Sequence, residues 1–267
     1  MIEGYVHGYD HRERNRLQDQ ASTLAELLHA DTAYPGGSRV LEAGCGVGAQ
    51  TVTLARKSPE ASILSMDISL TSLMEAGEML RSAGVNNVRL LQADIFQLPF
   101  APDSFDHIFV CFVLEHLPQP VEALVRLKGV LRQGGTITVI EGDHGSAYFH
   151  PDSEAARRAI QCQVELQRLS AGNAMIGRQL YPLLCGAGFQ SVRVSPRMVY
   201  VDSSKPALVD GFTRKTFTAM IEGVREPAIT AGLIGPELFE QGIRDLYRTA
   251  ESDGVFCYTF FKAVARN

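Results

Sequence analysis

The chain has 267 residues, 45% of them hydrophobic, with a formal net charge of −5 and a mean hydropathy of −0.01. That is enough apolar material for one α/β domain with additions, or two small domains, and the negative charge excludes a general attraction to phosphate backbones, so nucleic acid is not an expected partner. No apolar run approaches the roughly 20 residues that span a bilayer, the first residues lack a basic-then-apolar signal, and five scattered cysteines make neither a disulfide framework nor a metal constellation; a cytoplasmic location with no membrane partner is expected.

Residues 10 to 30 read as an amphipathic helix, with Leu17, Ala21, Leu24 and Leu28 on one face and Arg12, Arg16 and Gln20 along a neighbouring one. Pro35-Gly36-Gly37 breaks the chain before a strand that begins at Val40. This strand runs into three alternating glycines, Gly44, Gly46 and Gly48, and then into a helix over 50–57. Without Cβ atoms the turn bends sharply and lets a ligand approach backbone N–H groups, with the positive end of a helix dipole behind it. Strand 62–66, helix 70–83, strand 88–92, strand 107–112, helix 119–132 and strand 135–141 follow, and right-handed crossovers turn such βα units into a parallel sheet. Glu42, Asp67, Asp94, Cys111 and Glu141 fall at or near the carboxyl ends of strands, the edge where ligands bind.

The glycines leave the ligand open. Gly44, Gly46 and Ala49 also satisfy the looser dinucleotide pattern, and Asp67 stands where a second strand grips ribose hydroxyls, so an NAD-dependent dehydrogenase is one reading. Glu42 counts against it, because a pyrophosphate would meet a negative charge where an ammonium group would not.

Four ordered stretches, Val40 to Gly48, Met66 to Ser69, Gln92 to Ile95 and Leu98 to Leu117, resemble the motifs of the class I S-adenosylmethionine-dependent methyltransferases, and within them the small-molecule enzymes similar to those of quinone biosynthesis. The likeness runs from about Val40 to Ala187. It implies a doubly wound, seven-stranded, mostly parallel Rossmann-like sheet, S-adenosylmethionine as cofactor and a small-molecule acceptor. Asp67 then suits the ribose diol and Asp94 the adenine amine, with Ile68 and Ile95 as walls for the ring. The Cys111 carbonyl and Glu42 lie toward the methionyl ammonium, and Phe112 lines the floor. In the family a segment like residues 1–36 forms a flap over the cofactor, which would bring Arg16 or Gln20 to the carboxylate and Tyr5 and Tyr9 to the substrate mouth.

His116, after the fourth strand, reads as structural support ahead of a base. Glu141 to Pro151 leaves the ligand edge as a glycine-broken loop rich in polar and aromatic residues, so Glu141 and Tyr148 are candidate substrate contacts. Asp143 or His144 would take the acceptor's proton, or orient an acceptor that is already anionic. Arg178, before the sixth strand over 191–201, also faces the pocket in this reading. Residues 202–254 intervene before the last strand and predict a helical cap, in which Phe212, Phe217, Met220 and Ile221 form the cap's own core. The expected domains are the flap 1–36, the Rossmann-like domain 37–201 with 255–267, and the cap 202–254; pairing of two copies as a homodimer stays open. Methyl transfer by direct displacement is the function read here, with a non-catalytic cofactor-binding regulatory or partner subunit as the alternative of a different kind.

Overall fold

A computed structural model of the protein describes residues 11–267, with side chains from Arg16 onward except those of residues 17–19. Tyr5 and Tyr9 lie outside the described residues, as do the side chains of Arg12 and Leu17. Helix α1 (His11–His29) buries Ala21, Leu24 and Leu28, the expected apolar face. The rest of the order is β1 (Arg39–Ala43), α2 (Ala49–Lys57), β2 (Ser62–Asp67), α3 (Leu70–Ser82), β3 (Val88–Gln92), β4 (Phe105–Cys111), α4 (Pro120–Val130), β5 (Leu131–His150), α5 (Glu154–Leu169), α6 (Leu180–Gly186) and β6 (Gln190–Val201). Short helices α7 (Pro206–Leu208), α8 (Ala219–Gly223) and α9 (Arg225–Thr230), a π-helix (Val209–Thr218) and α10 (Pro236–Arg248) precede β7 (Val255–Arg266).

Local chemistry sets the helix starts. Ser69 caps α3 by accepting from the Ser72 N–H at 3.2 Å, and Ser153 caps α5 through the Ala156 N–H at 3.1 Å. Pro120 opens α4 at a position where its missing N–H costs nothing.

The described residues form a seven-stranded sheet in the order β3-β2-β1-β4-β5-β7-β6. Pairings β2–β3, β1–β2, β1–β4 and β4–β5 are parallel. The chain moves outward from β1 through β2 to β3 and then returns to β1's other side with β4, so the strand order reverses beside β1, and this is where a doubly wound sheet opens a crevice. Leu41, Met66, Ile108, Val110, Ile137 and Val139 from the central strands lie in one buried cluster with Leu124 and Leu127 of α4. Each such side chain contributes about 1.5–3 kcal/mol through the apolar surface it removes from water.

The chain divides into two compact units: the first takes residues up to Leu24, Gly142–Met175 and Arg197–Phe260; the second takes Ala25–Glu141, Ile176–Pro196 and Phe261–Asn267. The boundaries read at 36, 201 and 254 do not coincide with this division. Residues 202–254 are helical, as expected, yet 142–175 group with them.

The segment read as a loop from Glu141 is extended strand, because β5 continues to His150. The stretch around Phe212 is a π-helix, in which residues five apart come onto one face, so Phe212 and Phe217 lie with ring centroids 6.4 Å apart. Phe212, Phe217, Met220 and Ile221 are all buried in the first unit, the core role read for them. In the same unit α10 reaches α5 closely, since a Cβ on Gly242 would lie 2.5 Å from the Ala155 carbonyl oxygen.

Candidate active site

The second unit holds the glycine turn and the acidic strand ends together. Gly44, Gly46 and Gly48 have φ of +78, +52 and +81, the left-handed region that only glycine adopts cheaply. Their amides are spent within the protein: Gly44 and Cys45 donate to the Met66 carbonyl at 2.8 and 2.9 Å, and Gly48 donates to the Cys45 carbonyl at 2.9 Å. Gly46 donates to Asp67 Oδ2 at 2.8 Å. The open amide cradle expected of the turn is therefore largely closed by β2, and a pyrophosphate would find few donors there. Space remains at Gly46, where an added Cβ meets nothing within 4 Å, whereas at Gly44 it would meet Val113 Cγ2 at 2.5 Å.

Asp67, the last residue of β2, also accepts from the Ser69 N–H at 2.9 Å through Oδ1. Each of its oxygens keeps a second lone-pair direction, which is what a vicinal diol needs. Asp94 is fixed likewise, with Oδ1 accepting from the Phe96 N–H at 2.9 Å. Ile68 is 46% exposed and Ile95 8%, so one offers a free apolar face and the other a nearly closed one. Cys111 is buried at the end of β4, and Phe112 follows it with φ +58. Burial pushes the thiols of Cys45 and Cys111 well above their ordinary range, which makes both inert.

Glu42 is buried and accepts from Ser65 Oγ at 2.6 Å. Burial pushes its carboxyl up to about 7, against the pull of the Ser65 hydrogen bond and with the Asp67 charge adding to the rise. A carboxyl raised by folding stabilises the fold fully below its unfolded value near 4.5, and that contribution is lost as pH rises through about 7. Glu42→Gln is therefore expected to be more stable than the wild type at pH 8 by an amount on the order of 2–3 kcal/mol, a difference that fades by pH 5. Thermal unfolding of both proteins across that range measures it, and a constant difference would contradict it.

Glu141, read as a substrate contact, is fully buried. Its Oε1 accepts from the Val113 and Leu114 N–H groups at 3.0 and 2.7 Å and so caps the short 3-10 turn Leu114–His116. Burial and the neighbouring Glu115 charge hold this carboxyl well above the ordinary range. His116 lies on that turn with Nε2 3.6 Å from Glu115 Oε1. Arg178 is exposed on the 3-10 turn Ile176–Gln179.

The first unit holds the remaining candidates. Arg16 and Gln20 are buried and bonded to each other, Nη1 to Oε1 at 3.0 Å. Asp143 is buried, and its Oδ1 accepts from the Gly145 N–H at 3.0 Å. Nδ1 of buried His144 lies 2.8 Å from the hydroxyl of Tyr258, a residue the sequence did not single out. Tyr148 is 69% exposed and is not gathered with them. The signal for Tyr258 was present as the one hydroxyl-bearing residue on the face that Phe256 and Phe260 share in an alternating strand.

The sheet is doubly wound, with a glycine turn after β1 and carboxylates fixed by backbone N–H groups at the end of β2 and after β3. Residues 41–139 match the family model described as a methyltransferase domain. The chain is 34% identical over 148 residues to an uncharacterized methyltransferase of Schizosaccharomyces pombe, covering 53% of each chain. It is 31% identical over 124 residues to the demethylmenaquinone methyltransferase of Staphylococcus aureus, covering 46% of this chain and 51% of that one. The chain thus spans about half the length of these curated relatives. Among solved structures, a Haemonchus contortus phosphoethanolamine N-methyltransferase 2, in complex with phosphomonomethylethanolamine and S-adenosylhomocysteine, superposes with a TM-score of 0.57 at 15% identity, over 93% of this chain and 52% of that one. The chain is thus similar over residues 41–139 to methyltransferase domains, and its fold is that of solved methyltransferases. Among the described residues no helix is long and apolar enough to cross a membrane.

Proposed function

We propose that the protein transfers a methyl group from S-adenosylmethionine to a small-molecule acceptor by direct displacement. The observation that carries this reading is the approach over Gly46, where backbone held on Asp67 lies beside space that a side chain would fill. When bound, the cofactor supplies a methyl already activated on a positively charged sulfur, so the protein has to align and exclude water rather than create the electrophile. Asp67 would accept the ribose hydroxyls through the lone pairs its backbone bonds leave over, and Asp94 would take the adenine amine. Ile68 and Ile95 would cover the ring faces, while Glu42 and the Cys111 carbonyl would favour the ammonium and Phe112 would line the floor. His116, Asp143 and His144 are the candidates for orienting the acceptor, and Arg16 and Gln20 for the cofactor carboxylate. The spent amides of the glycine turn favour this ligand over a dinucleotide.

Incubation of the protein with S-adenosylmethionine carrying a deuterated methyl group and a small-molecule cell extract, read by mass spectrometry, is expected to show an extract component gaining that methyl, with an equal yield of S-adenosylhomocysteine. Tight binding of the cofactor with no S-adenosylhomocysteine formed on any extract would instead point to a non-catalytic binding subunit.

A further inference from the structure

Strand β6 is one edge of the sheet, with β7 beside it. The first residues of β6 and the last of β7 border an open pocket of about 390 Å³, lined by Ser191, Val192, Arg193 and Arg266. All four belong to the second unit, but they lie away from the glycine turn. Asn267, which follows Arg266, donates its N–H to the Gly135 carbonyl at 3.0 Å and accepts from the Gly134 N–H at 3.0 Å. The next residue of β5, Thr136, pairs with His107 near the start of β4, whereas Cys111 ends that strand. Arg266 therefore stands at the amino-terminal edge of the parallel strands, and Asp67 and Asp94 at the carboxyl-terminal one.

The charge at this pocket has one sign. Arg193 and Arg266 are exposed, their guanidinium groups stay protonated, and among the described residues no carboxylate lines the pocket with them. Elsewhere on the same edge the chain neutralises its cations itself: Arg39 and Arg132 share the Asp106 carboxylate at 3.6 and 2.9 Å. Two like charges on one pocket repel, and an anion between them turns that cost into attraction. The backbone carries a second mark. Ser191 has φ +50, a left-handed conformation that is unfavourable for serine and of the kind that gathers where ligands are held.

The donors select the anion. Guanidinium forks match the oxygens of a phosphate with parallel N–H groups, and the Ser191 hydroxyl adds a further donor. A carboxylate brings one charge to two guanidinium groups, whereas a phosphate monoester brings about −1.5 to −2 near pH 7. The volume falls within the roughly 300–1,000 Å³ of ligand pockets, so it leaves room for an organic group beside Val192.

We propose that Ser191, Arg193 and Arg266 form a binding site for a phosphate monoester, at the edge of the sheet opposite the carboxylates at 67 and 94. The site lies outside the methyl-transfer reading and stands whether or not that reading holds.

The test is calorimetric titration of the full chain with phenyl phosphate at low ionic strength near pH 8, where the monoester is a dianion. The wild type is expected to bind it saturably, with an affinity on the order of millimolar or tighter. Arg193→Gln and Arg266→Gln should each weaken binding by roughly tenfold or more, the loss of one charge-assisted pair. Arg89→Gln removes the same charge from β3, the opposite edge strand, and should change the affinity by less than about twofold. No saturable heat from the wild type overturns the proposal, and that titration decides the matter even if a variant fails to fold. Equal losses in all three variants overturn it too, because they would show only a general attraction of charge. Vesicles of phosphatidylcholine with and without phosphatidic acid then identify the source of the phosphate. Capture by the acidic vesicles that is lost in Arg193→Gln and Arg266→Gln assigns a lipid headgroup, and phenyl phosphate binding without capture assigns a soluble monoester.

Discussion

Gly44→Ala is expected to destabilise the fold by about 2–5 kcal/mol and to abolish cofactor binding. Two costs combine: a side chain at φ +78 carries left-handed strain of roughly 1–2 kcal/mol, and the new methyl would lie 2.5 Å from Val113 Cγ2, an overpacking cost of about 1–3 kcal/mol. Val113 has little room to yield, because its N–H is held on Glu141 Oε1 at the start of the capped turn. Gly46→Ala separates folding from binding. Its φ of +52 carries strain alone, and the methyl enters space that meets nothing within 4 Å. We expect a loss of about 1–2 kcal/mol in denaturant unfolding, together with a loss of S-adenosylhomocysteine binding out of proportion to that small change. Equal effects of the two substitutions on both measurements would show that the space over Gly46 is not where the ligand passes.

Asp67→Ala is expected to weaken S-adenosylhomocysteine by about a hundredfold or more. Two hydrogen bonds from ribose hydroxyls to a carboxylate are each worth roughly 1.5–3 kcal/mol, and both go together. The Gly46 and Ser69 N–H groups at 2.8 and 2.9 Å also lose their acceptor, so the turn is loosened as well. Asp67→Asn keeps one acceptor oxygen and should fall between Ala and the wild type, near a tenfold loss. Calorimetric titration of the three proteins measures the order. Equal affinity for all three would remove Asp67 from the site.

What the sequence made legible was the part governed by local rules. The run from Val40 through Gly48 reads as strand, turn and helix because each step changes residue type, and the acidic residues at 67 and 94 mark where strands end. The helical character of 202–254 was legible for the same reason. What escaped depended on distant partners. β5 runs on through Gly142 and Gly145 to His150, although two glycines in a row of polar residues read as a loop. Gly142 serves close approach to Tyr258, a contact that local spacing does not show. Glu141 looked like a ligand residue at a strand end, and the amides it caps, those of Val113 and Leu114, lie 28 and 27 residues earlier. Lys262 was read only as part of the last strand. It is buried and its Nζ meets the Leu28 carbonyl, Asp31 Oδ1 and Thr32 Oγ1 at 3.2, 2.6 and 2.5 Å, three acceptors for three donors. The π-helix was hidden because Phe212 and Phe217, five apart, fall on different faces of an ordinary α-helix and share one only when the turn widens.

The glycine turn and the carboxylates at 67 and 94 are expected to recognise an adenosine attached to an amino acid rather than a dinucleotide. Isothermal titration of the wild-type protein with S-adenosylhomocysteine and, separately, with NAD tests it most directly. Saturable binding of the first and none of the second is the expected result. Tight binding of NAD with no heat from S-adenosylhomocysteine would contradict it.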